Sequence, residues 1–376
     1  MLTKIKARST RSYKLVQHCC SGGKVSGLRV GRTYVLLVIG LVVGVVLGIA
    51  AGWYLASSRG QQAALAHIRF TLDWAYQGPQ APFLVALYKG FFAEEGLSIT
   101  IDRGYGSAKV ISDVAAGLFD IGFGDINSLI EFKSKNPDAK VKAVAVIHVK
   151  SPLSVVTLRG RGIESPKDLE GKKLGAPAGD AARRMFPAFA NAVGIDLNKV
   201  TWATMDIPMR EPMLVRGDVD AVTGFYYTVV INLLSLNVSE RDIIVFKYGD
   251  YLDIVGNCIV VNEDFLAKNP DAVRRFLRAV IRGLKYAIQN PDEAISILLQ
   301  RDPTLNRDIE KKRLLMALEI IYVKGVTDKY GFGYVDPVVI ERNIDTIVSV
   351  LGLGRRPSLN EIIDLNYLPP LEYRLP

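Results

Sequence analysis

From residue 67 onward, short apolar runs alternate with stretches whose apolar residues recur every three to four positions. The first pattern suits strands buried on both faces and the second suits helices laid over them, which together predict an α/β fold. Ile68–Leu72, Leu97–Ile101, Asp120–Phe123 and Val141–His148 read as strands. Ala81–Tyr88, Ser107–Leu118 and Asn127–Lys135 read as the helices between them. A second unit begins near Ser151, with strands at Leu153–Leu158, Lys172–Ala176, Thr201–Met205, Ala221–Phe225 and Ile243–Lys247. Its helices are Asp180–Val193, a short one near Glu211–Arg216, and Thr228–Leu236. Asn257–Val261 is a further strand, leading the chain back to the first unit. Beyond Asn262 the pattern is helical: Pro270–Asn290, Pro291–Arg301, Asp308–Val323 and Pro337–Leu351, three of them opening on a proline whose fixed φ suits a first turn.

The resulting organisation is two α/β lobes, the second inserted in the first: 67–150 plus 257–376, and 151–256. Two chain crossings, near Lys150 and Gly256, would act as a hinge.

A different pattern precedes this body. Tyr34–Ala56 is an uncharged run of 23 residues, about 34 Å long as a helix and enough to span a hydrocarbon core. Gly40, Gly44 and Gly48 recur every fourth residue, as small residues do where helices approach closely, and as glycines do in many such helices without purpose. Trp53 and Tyr54 fall where an interfacial aromatic belt would lie. The segment 1–33 is basic, 34–56 is expected to be a transmembrane signal anchor or signal h-region, and 57–66 a linker. Ala64-Leu65-Ala66 matches a small-residue cleavage site, so attachment to the membrane and cleavage after Ala66 both stay open. The basic excess on the N-terminal side predicts a cytoplasmic N-terminus and an extracytoplasmic body.

This changes the meaning of the net charge of +9. The first sixty residues contain nine Lys/Arg and no acid; without them 38 basic residues face 38 acidic ones. A neutral body offers no basic excess for phosphates, so nucleic acid is not an expected partner. Cys19 and Cys20 precede the apolar run and Cys258 is the sole cysteine of the body, which excludes an internal disulfide there.

Several segments carry a resemblance: LDWAYQGPQAPFLVALYKGFFAEEGLSITI (72–101), GYGSAKVISDVAAGLFDIGFGD (104–125), GIESPKDLEGKKLGAP (162–177), FPAFANAVGID (186–196) and GDVDAVTGFYY (217–227). In order and spacing the body resembles the solute-binding proteins of ABC importers, in the branch that binds thiamine-pyrimidine precursors and, more distantly, sulfonates, taurine and nitrate. The resemblance implies a type II periplasmic-binding-protein fold, two lobes closing on a small solute delivered to a membrane permease. It implies no chemistry, cofactor or metal.

Candidate ligand residues follow from strand ends and helix starts. Asp73 and Trp74 leave the first strand, a carboxylate that accepts hydrogen bonds beside an indole face that stacks on a flat ring; the resemblance places this pair in the site. Tyr76 follows closely. Gly104-Tyr105-Gly106-Ser107 opens a helix whose free N–H groups, with Ala108, would hold an acceptor of the ligand. Asp125 and Asn127 start the next helix. In the second lobe Asp180 reads as an N-cap with Arg183 in the first turn, and Phe225, Tyr226 and Tyr227 end a strand, so at least one should face the cleft. For each, a cap or core role is the alternative. One departure stands out: binders of pyrimidines carry an acidic residue shortly after the aromatic pair, whereas Thr228–Asn232 reads TVVIN. That leaves another flat or partly polar solute equally open.

Two other classes were weighed. A pyrimidine-forming enzyme of this fold would use a histidine and a cysteine-rich motif, yet the body holds only His67, His148 and Cys258, so it reads as non-enzymatic. A membrane-anchored sensor would use residues 1–33 as its cytoplasmic output, but that segment lacks a periodic apolar face.

Overall fold

Every strand end that matters for function is set by one topological device, used twice. In the computed structural model, which describes residues 66–376 together with the helical residues 41, 42, 44–46, 48 and 49, the first sheet has the order β2-β1-β3-β10-β4. Here β1 is Ala66–Thr71, β2 Leu97–Asp102, β3 Ile121–Asp125, β4 Val141–Val146 and β10 Asn257–Asn262. β1 pairs in parallel with β2 and β3, and β10 runs antiparallel between β3 and β4. The second sheet has the order β7-β6-β8-β5-β9: β5 Leu153–Leu158, β6 Lys173–Ala176, β7 Thr201–Thr204, β8 Ala221–Phe225 and β9 Ile243–Lys247. β6 is parallel to β7 and β8, and β5 is the antiparallel member. Each sheet thus places three parallel strands beside one reversed strand, and parallel strands need helices over both faces. The burial of β3 and β10 at every position agrees with that cover.

The chain leaves the first sheet between Val146 and Leu153 and returns between Lys247 and Asn257. The two crossings are bonded to each other. The Asn257 carbonyl accepts from the Ile147 and His148 N–H groups at 2.8 and 3.0 Å, and the His148 carbonyl accepts from Gly256 N at 3.0 Å. A Cβ at Gly256 would lie 2.8 Å from both His148 Cβ and Pro152 Cδ, so only glycine fits between the crossings. Helix Ile126–Lys135 is tied to the same place: Asn127 Nδ2 donates to the Val255 carbonyl at 2.8 Å, Asn343 Nδ2 donates to Asn127 Oδ1 at 2.6 Å, and Asn343 Oδ1 accepts from Val255 N at 2.9 Å.

Helices Pro270–Gln289 and Pro291–Arg301 cover the first sheet, burying Phe276, Leu277, Val280 and Leu284 against Phe70, Phe83 and Phe92. Helix Arg307–Ile321 lies against the turn at Gly78 and against helix Tyr226–Ser235, where Ala317 and Ile320 meet Tyr226 and Tyr227. Residues Ala64–Pro376 form one compact unit. The expected segments 1–33, 34–56 and 57–66 lie, but for a few residues, outside the described residues. Among those described, no helix is long and apolar enough to cross a membrane.

Candidate functional site

The carboxyl ends of the parallel strands of both sheets point at one cavity, the position that open α/β sheets offer to ligands. Asp73 and Trp74 follow β1, Gly106 and Ser107 follow β2, Asp180 and Ala181 follow β6, and Phe225 ends β8; Gln80, Arg210 and Thr228 complete the lining. The cavity is small, about 20 Å³, enough for a water molecule. Its roof is a contact between two glycine loops. Gly106 adopts φ +110°, and a Cβ there would stand 2.1 Å from the carbonyl oxygen of Gly179. Outside that contact lies an open groove of about 810 Å³, lined by Arg103, Tyr105, Pro177, Thr204, Met205 and Pro208, among others.

The wall from the first sheet is organised by Asp73. Its Oδ1 accepts from Gln80 Nε2 at 2.9 Å and its Oδ2 from Asn257 Nδ2 at 2.9 Å. A carboxylate only accepts, so both amides must turn their NH₂ groups toward it and their carbonyl oxygens away. Gln80 Oε1 and Asn257 Oδ1 consequently have no partner among the described residues. Burial lifts the Asp73 carboxyl to about 6, against the pull of those two amides. Trp74 is almost fully buried. Helix Ser107–Ala115 begins at Gly106, which has no side chain to cap it, so the N–H groups of Ser107 and Ala108 keep their acceptor demand, while Lys109 N donates to the Gly106 carbonyl at 3.0 Å.

The wall from the second sheet satisfies itself. Asp180 caps helix Ala181–Val193 through Arg183 N at 2.8 Å, accepts from Thr223 Oγ1 at 3.1 Å, and lies 3.6 Å from Arg210 Nη1. Burial raises its pKa, with Arg210 opposing. The Arg210 guanidinium, 2% exposed, donates to Glu211 Oε1 at 2.7 and 3.0 Å and to the Thr223 carbonyl at 3.3 Å. Its Cζ lies 5.4 Å from the centroid of the Trp74 ring, a cation–π contact between the two walls. Gly224 makes the room: a Cβ there would be 2.5 Å from Arg210 Nη1. Thr228 Oγ1 donates to Gln77 Oε1 at 3.3 Å, joining the two walls.

Of the residues expected from sequence, Asp73, Trp74, Gly106, Ser107, Asp180 and Phe225 line the cavity. The others point elsewhere. Tyr76 donates to the Ile101 carbonyl at 3.1 Å and receives Arg301 at 2.7 Å. Ala108, next to Ser107, is not among the residues lining the cavity. Asp125 caps its helix through Ser128 N at 3.1 Å and, with Asn127, joins the chain crossings. Arg183 bonds the Ala176 carbonyl and Thr204 Oγ1 and stacks on Trp202. Tyr226 and Tyr227 belong to helix Tyr226–Ser235, not to the strand, so strand alternation does not govern them. Tyr226 donates to the Met316 carbonyl at 3.3 Å, and Tyr227 packs on His148. Sequence reasoning missed Gln80 and Arg210. Gln80 stands in the quoted segment beside Pro79, where an amide reads as an ordinary turn residue; Arg210, next to Glu211, reads as a solvated pair.

The family description "NMT1/THI5 like" matches residues 78–294, more than half of the chain. The chain belongs to the NMT1/THI5-like family. Within it, the chain is 28% identical over 279 residues to a formylaminopyrimidine-binding protein of Halalkalibacterium halodurans, covering 71% of this chain and 82% of that one. It is 23% identical over 316 residues to the riboflavin-binding protein RibY of Chloroflexus aurantiacus, covering 83% and 89%. The family also holds proteins named 4-amino-5-hydroxymethyl-2-methylpyrimidine phosphate synthase, one from Legionella pneumophila being 27% identical over 71% of this chain and 85% of its own. In fold, the chain matches the alkanesulfonate-binding protein SsuA of Xanthomonas axonopodis pv. citri with a TM-score of 0.64 at 14% identity, over 80% of this chain and 99% of that one. The body has the periplasmic-binding-protein fold.

The cavity of this NMT1/THI5-like protein is lined by two aromatic residues, Trp74 and Phe225, with acceptors from Asp73 and Gln80 and first-turn N–H donors near Ser107. Arg210 is the cation that lines it, and it is already paired with Glu211 and Asp180, with three N–H groups donating to Glu211 and the Thr223 carbonyl. His148 and Cys258 do not line it: burial holds the imidazole neutral, lowering it to about 3, and Cys258 Sγ lies 3.3 Å from the Gly124 carbonyl, its thiol pushed up by burial.

Proposed function

We propose that this protein is the extracytoplasmic solute-binding component of an ABC importer, closing two lobes on a flat, neutral or weakly basic heteroaromatic solute that carries N–H donors. The observation that carries this reading is the acceptor-rich cavity between Trp74 and Phe225, where the single lining arginine is spent on Glu211, Thr223 and Asp180. A sulfonate or nitrate would bring negative charge beside two buried carboxyl groups with no free cation to meet it, which costs far more than it returns. The relatives named for formylaminopyrimidine and riboflavin support a flat heteroaromatic ring, and the absence of an acidic residue in TVVIN is made good by Asp73 and Gln80.

The lobes are 67–150 with 257–376, and 151–256, moving about the bonded crossings at His148 and Gly256. Entry requires the Gly106–Gly179 contact to part, since a cavity of about 20 Å³ admits no ring. Substituents of a larger solute would extend into the outer groove beneath Tyr105. The basic segment 1–33 and the apolar run 34–56 support anchoring in the cytoplasmic membrane beside a permease, with the body outside. The synthases within the family supply the second reading, an enzyme.

Mass spectrometry of small molecules released from the purified full-length chain tests this. A bound heteroaromatic compound, returned unchanged after prolonged incubation, is the expected result. A bound sulfonate would overturn the solute class, and conversion of the compound would overturn the transport reading.

A further inference from the structure

From Gln80 on the cavity wall inward runs a group of buried polar residues whose side-chain atoms lack partners among the described residues. His148 is 0% exposed and neither ring nitrogen has a hydrogen-bond partner among the described residues; the Tyr227 hydroxyl, Gln80 Oε1 and Asn257 Oδ1 are also without one. These atoms are contiguous. Gln80 and Asn257 share the Asp73 carboxylate, the Asn257 carbonyl accepts from the His148 N–H of the main chain, and the His148 and Tyr227 rings lie 6.2 Å apart. Gln80 lines the cavity itself, and Phe225, also on its lining, packs against the rings behind it, 6.4 Å from that of His148 and 5.7 Å from that of Tyr227. Leaving one such group unpaired costs about 1–3 kcal/mol, and native structures rarely hold several together without a partner to come.

We propose that Gln80, His148, Tyr227 and Asn257 form an inner compartment of the solute site, reached by rotation of Phe225, which reads the hydrogen-bonding edge of the bound ring. This rests on the solute-binding reading above. The demand of the compartment is specific. Its two amide oxygens, fixed by Asp73, only accept, so they call for two N–H donors. Neutral His148 and Tyr227 each supply one donor and one acceptor, and so match a ring nitrogen or carbonyl beside those donors. An amino group next to a ring nitrogen meets all of this; a ring carbonyl in place of the amino group would set oxygen against oxygen.

The experiment uses the full-length chain with 4-aminopyrimidine and 4-pyrimidinone as probes, titrated calorimetrically into wild type, Tyr227→Phe and His148→Leu, with the melting temperature of each ligand-free protein recorded. Tyr227→Phe removes only an unpartnered buried hydroxyl, so the ligand-free protein should melt at the same temperature or higher while its affinity for the amino probe falls about 5- to 100-fold. His148→Leu should behave alike, and wild type should prefer the amino probe about tenfold or more. A merely structural role would move melting temperature and affinity together. Unchanged affinity in both variants, or equal binding of the two probes by wild type, overturns the inner compartment and leaves the solute-binding reading intact. Failure of wild type to bind either probe overturns the compartment, and failure to bind riboflavin titrated alongside overturns the solute-binding reading as well.

Discussion

The two walls of the cavity are built from the same parts and behave differently. Each has a buried aspartate after a parallel strand and an uncapped or Asp-capped helix start beside it. On the first wall Asp73 is held by two amides whose far ends are left without partners. On the second, Asp180 is consumed by Arg183 N, Thr223 and Arg210, and Arg210 is in turn consumed by Glu211. A wall with unmet hydrogen-bond demand can discriminate between ligands, whereas a saturated wall contributes shape and rigidity. On the proposed reading, the first wall would select the solute and the second would close over it with the Phe225 and Arg210 faces.

The largest effect expected from this contrast is on the saturated wall. Arg210→Ala would strand Glu211 and Asp180 as buried, uncompensated carboxylates, at a cost of about 3–5 kcal/mol. A thermal melt should fall by about 6 °C or more, given roughly 2–4 °C per kcal/mol in proteins of comparable size. A loss below about 1 kcal/mol would show that the wall is not closed on itself.

Next in size is the response to pH. Asp73 is lifted to about 6 and Asp125 to about 7 by burial, so the folded chain binds more protons than the unfolded chain between about pH 4 and 7. Stability contributed by these groups is present below pH 4 and is lost as pH rises toward 7, about 3 kcal/mol for Asp73 at 1.36 kcal/mol per unit. Asp125→Asn keeps an N-cap residue while removing one titration, and urea melts between pH 5 and 7 should show a shallower decline than wild type.

Trp74→Ala removes the face shared with Arg210 and should weaken heteroaromatic binding by about 30- to 1000-fold, equivalent to about 2–4 kcal/mol, by calorimetry. Thr228→Val is the smallest change. It cuts the Gln77 bond between the walls at 3.3 Å, and should cost about 1 kcal/mol of stability with a modest loss of affinity.

Much of the fold was legible. β5 and β8 fall on the residues expected, because β-branched runs bounded by proline, glycine and aspartate leave little choice of register. Helix Thr228–Leu236 begins two residues earlier than its pattern suggests, and that shift moved Tyr226 and Tyr227 from a strand end into a helix packed on Ala317 and Ile320. The strand-end residues Asp180 and Phe225 were readable because topology brings strand ends together, and Asp73, Trp74 and Gly106 because the resemblance pointed to the same strand ends. Arg210 and Gln80 were not, since their role depends on contacts to Trp74 and Asp73 that no local pattern encodes. His148 shows the opposite: in sequence it is one of two histidines of the body with no catalytic pattern around it, and its unpartnered ring in the fold is what makes it informative.

The central claim is that the cavity takes a neutral heteroaromatic ring with N–H donors, and calorimetric titration of the full-length chain with 4-aminopyrimidine, riboflavin and an alkanesulfonate tests it most directly. Saturable binding of a heteroaromatic compound with no heat from the sulfonate is the predicted result. Tight sulfonate binding with neither heteroaromatic bound would contradict it.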